Sequence, residues 1–339
     1  MTNHIELPII EPIYKTYHYQ GPGSAIIGNN PTIRNFYLNE VMKLVCDRRF
    51  LRGYTTPRIT IANSFWSVNP HLEKKLITKK AVDESIDLTI KEMLNNGYYI
   101  SFCGVDDYYV PGKSWYGQRH SSHDGLICGY DEEEETFCIY AHDINWIYQK
   151  FWTPQNGFYA GRAAVERKGR FGKIYALKAK SEVVEFSPAA VLTKLLEYLD
   201  SNLEMYPFEG EERVYGIVVH DFIAEYVSKL YNGEIPYDRM DRRVFRVIWE
   251  HKKAMLERIS LIEKTLDMDN TASEQYKFLV AEADTMRMLY ASHYMKRRDS
   301  VLPAIKKKLL LLKEKEQEIL TSLVEKMREK MKSETVEIS

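Results

Sequence analysis

The hydrophobic period of this chain changes near Phe186, and that change bounds the folds open to it. Before Phe186, glycine and proline are frequent and short β-like runs dominate. After it, apolar residues recur at helical spacing. The expected fold class is α+β. A domain over 1–186 carries a central antiparallel sheet and an N-terminal core helix, and an all-helical domain over 187–339 ends in a long helix. A length of 339 residues suits one large or two ordinary domains.

In the first part, Tyr14 to Tyr19 reads as a strand, and Pro31 can open an amphipathic helix running to about Cys46 through Ile33, Phe36, Tyr37, Val41, Leu44 and Val45. Ile59–Ile61 is a short strand. Asp83–Asn95 is a helix stopped by Asn96-Gly97. Tyr98–Val105 is an apolar strand, and Ile174–Val184 a last one. In the second part Ser187-Pro188 is a clean helix start. Helices are expected at about 188–202, 215–231, 241–266, 271–296 and 301–332. Phe245, Ile248, Trp249, Met255 and Ile259 read as helical core, while Glu250-His251-Lys252-Lys253 reads as a surface or interdomain feature rather than a catalytic group. The Lys/Glu run over 306–316 reads as a solvated face. The last helix could support a homodimer or cap its own chain.

Composition excludes several function classes. A net charge of −1 gives no electrostatic case for nucleic acid. No apolar run approaches the roughly 18–20 residues of a membrane span, and the first residues lack signal-peptide character. The four cysteines lack CxxC spacing, so neither a disulfide framework nor a zinc cage is expected, and the expected location is the cytoplasm. No metal or other cofactor is expected; His120 and His123 with His142 or Asp143 are the weak alternative as metal ligands.

The chemistry concentrates around one hairpin. Gly125–Tyr130 and Thr136–Ala141 are strand-like and flank the acidic turn Asp131–Glu135. Centred near Glu133, the hairpin sets His123 opposite Asp143. A carboxylate there could orient an imidazole as a base. Asp124 and His142 have the same register on the other face, so spacing alone leaves both pairs open. Asp106, Asp107, Tyr108, Tyr109 and His120 could line a pocket mouth and bind a polar substrate group. Gly21-Pro22-Gly23-Ser24 is no P-loop, because no Gly-Lys-Ser/Thr follows; Ser24 is a candidate hydroxyl nucleophile in that turn.

Three stretches together resemble the butirosin biosynthesis protein H N-terminal family: Gly97-Tyr98-Tyr99-Ile100, Val105-Asp106-Asp107-Tyr108-Tyr109 and His123-Asp124-Gly125-Leu126-Ile127-Cys128-Gly129-Tyr130-Asp131. Arg246 to Met255 looks like the helical half of related proteins near nonribosomal peptide clusters. The resemblance implies a papain-like fold, similar to bacteriocin-processing cysteine peptidases, and an acyltransferase or amide synthase of natural-product biosynthesis. Its partners would be an acyl or peptidyl carrier protein and an amine. It implies His123 as base and acid and Asp143 as its orienting carboxylate. The family's nucleophilic Cys would fall near Asn35 and Phe36, where this chain has no Cys, Ser or Thr. Two readings follow. In one, an enzyme lets an amine attack the thioester directly. In the other, a papain-like binding module has lost the chemistry and kept the cleft.

Overall fold

The computed structural model describes residues 3–26, 32–53, 56–77, 79–167, 172–201 and 212–337; of 79–85 and 334–337 it describes the backbone alone. Pro31, the expected helix opener, lies outside the described residues. The strands are β1 His4–Glu6, β2 Leu44–Asp47, β3 Thr60–Ile61, β4 Leu72–Ile77, β5 Tyr99–Asp106, β6 Ser122–Asp131, β7 Thr136–His142, β8 Tyr148–Pro154, β9 Ile174–Ala179 and β10 Arg213–Tyr215. The helices are α1 Gly21–Ala25, α2 Ile33–Glu40, α3 Lys79–Asn95, α4 Gln155–Arg167, α5 Pro188–Asp200, α6 Val219–Tyr231, α7 Val244–Thr265, α8 Thr271–Lys296 and α9 Leu302–Glu337. The protein is α+β, an antiparallel sheet region with helices followed by long helices. Among the described residues no helix is long and apolar enough to cross a membrane.

The chain divides into two compact units. The first holds 1–34 and 65–184, the second 35–64 and 185–339. The change of period near Phe186 thus falls beside a real division. The segment 35–64, expected in the first domain, packs instead with the helices.

In the first unit the strand order is β4-β9-β5-β6-β7-β8, every pair antiparallel, with β1 also paired to β6. Both faces of the central strands β5, β6 and β7 are covered, which is why these read as nearly continuous apolar runs. Phe102, Ile127, Phe137 and Ile139 face Ile90, Leu94 and Phe158 of α3 and α4. The alternate residues Tyr99, Leu126, Cys138 and Tyr140 face Ala25, Ile26, Ile33 and Trp66. Tyr14–Tyr19 forms bends and turns rather than the expected strand.

In the second unit α2 stops at Glu40, and the apolar run after it becomes β2, the middle of a small antiparallel sheet ordered β10-β2-β3. A short apolar run has no period that separates helix from strand; here burial on both sides makes it a strand. The end of α2 is held by Arg258 of α7, a fully buried guanidinium. It donates to the Leu38 carbonyl at 2.8 Å, to the Tyr37 carbonyl at 2.7 Å, and to that of Val41.

Of the stretch expected at the surface or between domains, His251 and Lys252 are fully buried. Lys252 Nζ lies 2.6 Å from Glu316 Oε2 of α9, and both side chains are 0% exposed. Tyr198 donates to the same carboxylate at 3.0 Å, Tyr276 donates to its other oxygen, and His220 Nε2 stands 3.7 Å away. Glu316 thus breaks the solvated face read over 306–316. Leu302, Ile305, Leu309, Leu312, Leu320 and Leu323 bury the apolar stripe of α9 within the same unit.

This core has a pH signature. Burial, then the Lys252 charge, pulls His220 down to about 3 and His251 well below the usual histidine range. Below about pH 6.5 the unfolded chain takes up protons that the folded core refuses. Stability is therefore present above pH 6.5 and falls as the pH drops from there toward 3. The slope is roughly 1.4 kcal/mol per pH unit for each histidine. Urea unfolding of the full chain at about pH 7.5 and about pH 5.5 checks this; equal stabilities would contradict it.

Candidate functional site

The site lies in the first unit, where the end of β5 meets the start of β6. Val105 pairs with His123 and Asp106 with Ser122, after a bulge between Phe102 and Val105. Gly104 occupies the bulge at φ +77°, a conformation glycine adopts without strain, and donates its N–H to Asp124 Oδ1 at 3.0 Å. Beyond the bulge, Asp106 accepts the N–H groups of Tyr108 and Ser121 and closes a short turn of 3₁₀ helix.

Two histidine–aspartate pairs stand side by side there. His123 Nδ1 bonds Asp107 Oδ2 at 2.5 Å; the imidazole is 23% exposed and the carboxylate 3%. His120 Nδ1 bonds Asp106 Oδ2 at 2.9 Å, and its ring stacks on Tyr108 at 4.4 Å with Tyr109 further off. Of the residues expected to bind substrate, Asp106 and Asp107 are instead buried supports of two imidazoles, and Tyr108, Tyr109 and His120 form the outer layer.

The carboxylate bonded to His123 is therefore Asp107, and not Asp143 as expected. The β6–β7 register is shifted by one near the turn and follows the expected centre only beyond a bulge between Ile127 and Gly129, where Ile127 lies opposite Ile139 and Leu126 opposite Tyr140. Pairing ends there, however, and His123 belongs to the β5 side. Asp143 is engaged elsewhere. Its Oδ1 accepts the N–H groups of Asn145 and Ile147, both at 2.8 Å, and its Oδ2 accepts Gln149 Nε2 at 2.6 Å. Burial pushes this carboxyl up, but those hydrogen bonds outweigh it and hold it below the usual range.

Lys113, 4% exposed, is the electrostatic centre of the site. Its ammonium lies 3.9 Å from Asp107 and also feels Asp124 and Asp143. Burial lowers its pKa against the pull of those carboxylates. Burial also raises Asp124, against the Gly104 N–H and the charges of His123 and Lys113.

A residue not singled out in the sequence completes the group. The His18 ring lies 5.0 Å from that of His123 and 4.6 Å from that of His142. Burial, then the fields of His142, Lys113 and His123, hold His18 neutral well below the usual range, and a hydrogen bond to the Asp124 backbone opposes them. Nothing in the spacing of Tyr17-His18-Tyr19 marks this role; it depends on the path of the N-terminal segment over the sheet.

The nucleophile candidates are engaged elsewhere or lie outside this unit. Ser24 is buried in α1, and its Oγ accepts the Ile13 N–H at 3.1 Å, a structural bond. Asn35 and Phe36 belong to the second unit, where the Phe36 ring packs edge-on against Tyr37 at 5.4 Å. Cys103 is pushed up to about 11 by burial and then by Asp124, so it is no thiolate at neutral pH. Cys128 and Cys138 are buried with their sulfurs 3.5 Å apart. Among the described residues His123 hydrogen-bonds Asp107 and no thiol or hydroxyl. Among them, too, no three His, Cys, Asp or Glu side chains converge as a metal site would need.

No protein-family model matches this chain, and no curated protein does.

Proposed function

We propose that this protein is an acyl-transfer enzyme whose sheet unit is a papain-like domain and whose base is His123, held by Asp107. An amine attacks a carrier-bound thioester directly. The observation that carries the reading is the 2.5 Å bond between His123 Nδ1 and Asp107, which fixes the ring and leaves Nε2 to take a proton. As the amine nitrogen forms its bond to the thioester carbon, its proton passes to His123 Nε2. The C–S bond then breaks, and the departing thiolate takes that proton back. The product is an amide and a free thiol. A thioester is activated enough for proximity and a placed base to suffice. The choice of carrier thioester and amine rests on the family likeness of Gly97–Ile100, Val105–Tyr109 and His123–Asp131, and would place the protein in natural-product biosynthesis.

Acyl transfer from a carrier-bound thioester, or from a small N-acetylcysteamine thioester, to a primary amine tests the reading. His123→Ala is expected to lower the rate by about 10²–10⁴-fold. A variant with full activity would sink the proposal.

One observation favours a second reading. His18, an imidazole rather than a thiol, stands beside His123. A papain-like module that binds a carrier protein without turning it over would have this feature. It predicts binding that survives His123→Ala and no turnover by the parent protein.

A further inference from the structure

The turn joining β7 to β8 holds a bulky residue in a backbone conformation that such residues avoid. Trp146 sits at φ +60°. Asp143 keeps it there. Its carboxylate ties down the N–H groups on either side of Trp146, those of Asn145 and Ile147, and its carbonyl accepts the Trp146 N–H at 3.1 Å. The result of this constraint is the position of the indole. It meets the His123 ring edge-on, centroids 6.2 Å apart at 88°, and meets Trp115 at 5.9 Å and 78°. Strain held by surrounding hydrogen bonds is a pointer to function when it places a side chain against a reactive group.

The surroundings of this indole are divided by polarity. On the inner side of His123 lie Asp107, Lys113, His18 and Asp124. On the outer side the same turn exposes Ile144 and Ile147, at 57% and 53%, and the neighbouring loop exposes Tyr116 at 49%. These groups offer an amphipathic substrate two environments, polar groups for its reacting carbonyl and exposed apolar side chains of the turn for its tail.

We propose that Trp146 is the wall of an acyl-chain subsite, with Ile144 and Ile147 beyond it, and that the acyl group carried to His123 is apolar. This rests on the acyl-transfer reading above and adds the class of acyl group. Asp143 is then a positioning residue for Trp146 rather than for His123.

Binding of straight-chain N-acetylcysteamine thioesters, from two to eight carbons, measured by titration calorimetry, tests it without turnover. With the parent protein each added methylene is expected to tighten binding about three- to fourfold. Trp146→Gly is expected to flatten that series. Glycine accepts φ +60° freely, which offsets part of the lost indole packing, and urea unfolding of the variant separates a lost slope from a lost fold. Ile144→Ser/Ile147→Ser, at exposed positions, should reduce the slope for the longer chains. Parent binding that ignores chain length, or a Trp146→Gly variant that keeps the slope, overturns the subsite. Chain-dependent binding with no acyl transfer overturns the reaction instead and leaves the subsite standing.

Discussion

Glu316→Ala is expected to destabilise the second unit by about 3–5 kcal/mol, among the largest effects of any single substitution in this chain. The carboxylate is fully buried and takes Lys252, Tyr198 and Tyr276 at once. Its removal leaves an ammonium without water and without its countercharge, together with two phenols that lose their acceptor. The pair draws each partner's pKa in a consistent way. Burial lowers Lys252 against the pull of Glu316; burial raises Glu316, but the Lys252 charge and the hydrogen bonds from Lys252 and Tyr276 bring it below the usual carboxylate range. The double replacement Lys252→Met/Glu316→Leu removes both charges together and is expected to cost far less than Glu316→Ala, because nothing ionic is left stranded. Urea unfolding of the full chain gives both numbers. Equal losses in the single and double variants would mean that the buried pair is not what the helices depend on.

Asp107→Asn is expected to reduce acyl transfer by about 10³–10⁴-fold while leaving the fold intact. Lys113, which loses the Asp107 charge, still faces Asp124 and Asp143, and the amide is nearly isosteric. Its change is chemical: an amide can offer an N–H to His123 Nδ1, which favours the tautomer with its proton on Nε2, where the base must be free. Asp143→Asn is the informative comparison. Because Asp143 supports the β7–β8 turn and not His123, its replacement is expected to act mainly through thioester binding. A larger rate loss for Asp143→Asn than for Asp107→Asn would restore Asp143 as the orienting acid and overturn the assignment made from the 2.5 Å bond.

Much of the fold was legible in the residues. The hairpin register, the apolar strands, the capped start at Ser187 and the helical spacing after it are local signals, and local signals survive folding. The site was legible only in part. His123 stands out in the sequence because it flanks the apolar hairpin at the register of Asp143. Its partner was missed because the cross-strand rule was extended past the point where β6 and β7 stop pairing, and because the bulge around Gly104 brings Asp107 in from the other neighbour. That bulge has a sequence signal, a glycine inside a strand run followed by two acids. His251 and Lys252 were misplaced for a different reason. A charged residue in a helix looks solvated unless its counterion is known, and Glu316 lies 64 residues away inside a run of lysines and glutamates.

The grip of Arg258 on α2 has a consequence for synthesis. The carbonyl groups it holds precede it by 217–221 residues. A ribosome therefore releases α2 long before the guanidinium that closes its end exists, and contacts of such separation form slowly. Until α7 emerges, the segment 35–64 is an interruption in the sheet unit with nothing of its own to pack against. A nascent chain stopped near Phe186 thus presents the sheet together with a helix whose last carbonyls are open. The apolar side chains of Tyr37, Leu38 and Val41, buried in the full chain, are then uncovered; such surface is what a holding chaperone recognises, and fragments cut at that point should prove harder to keep in solution than the full chain.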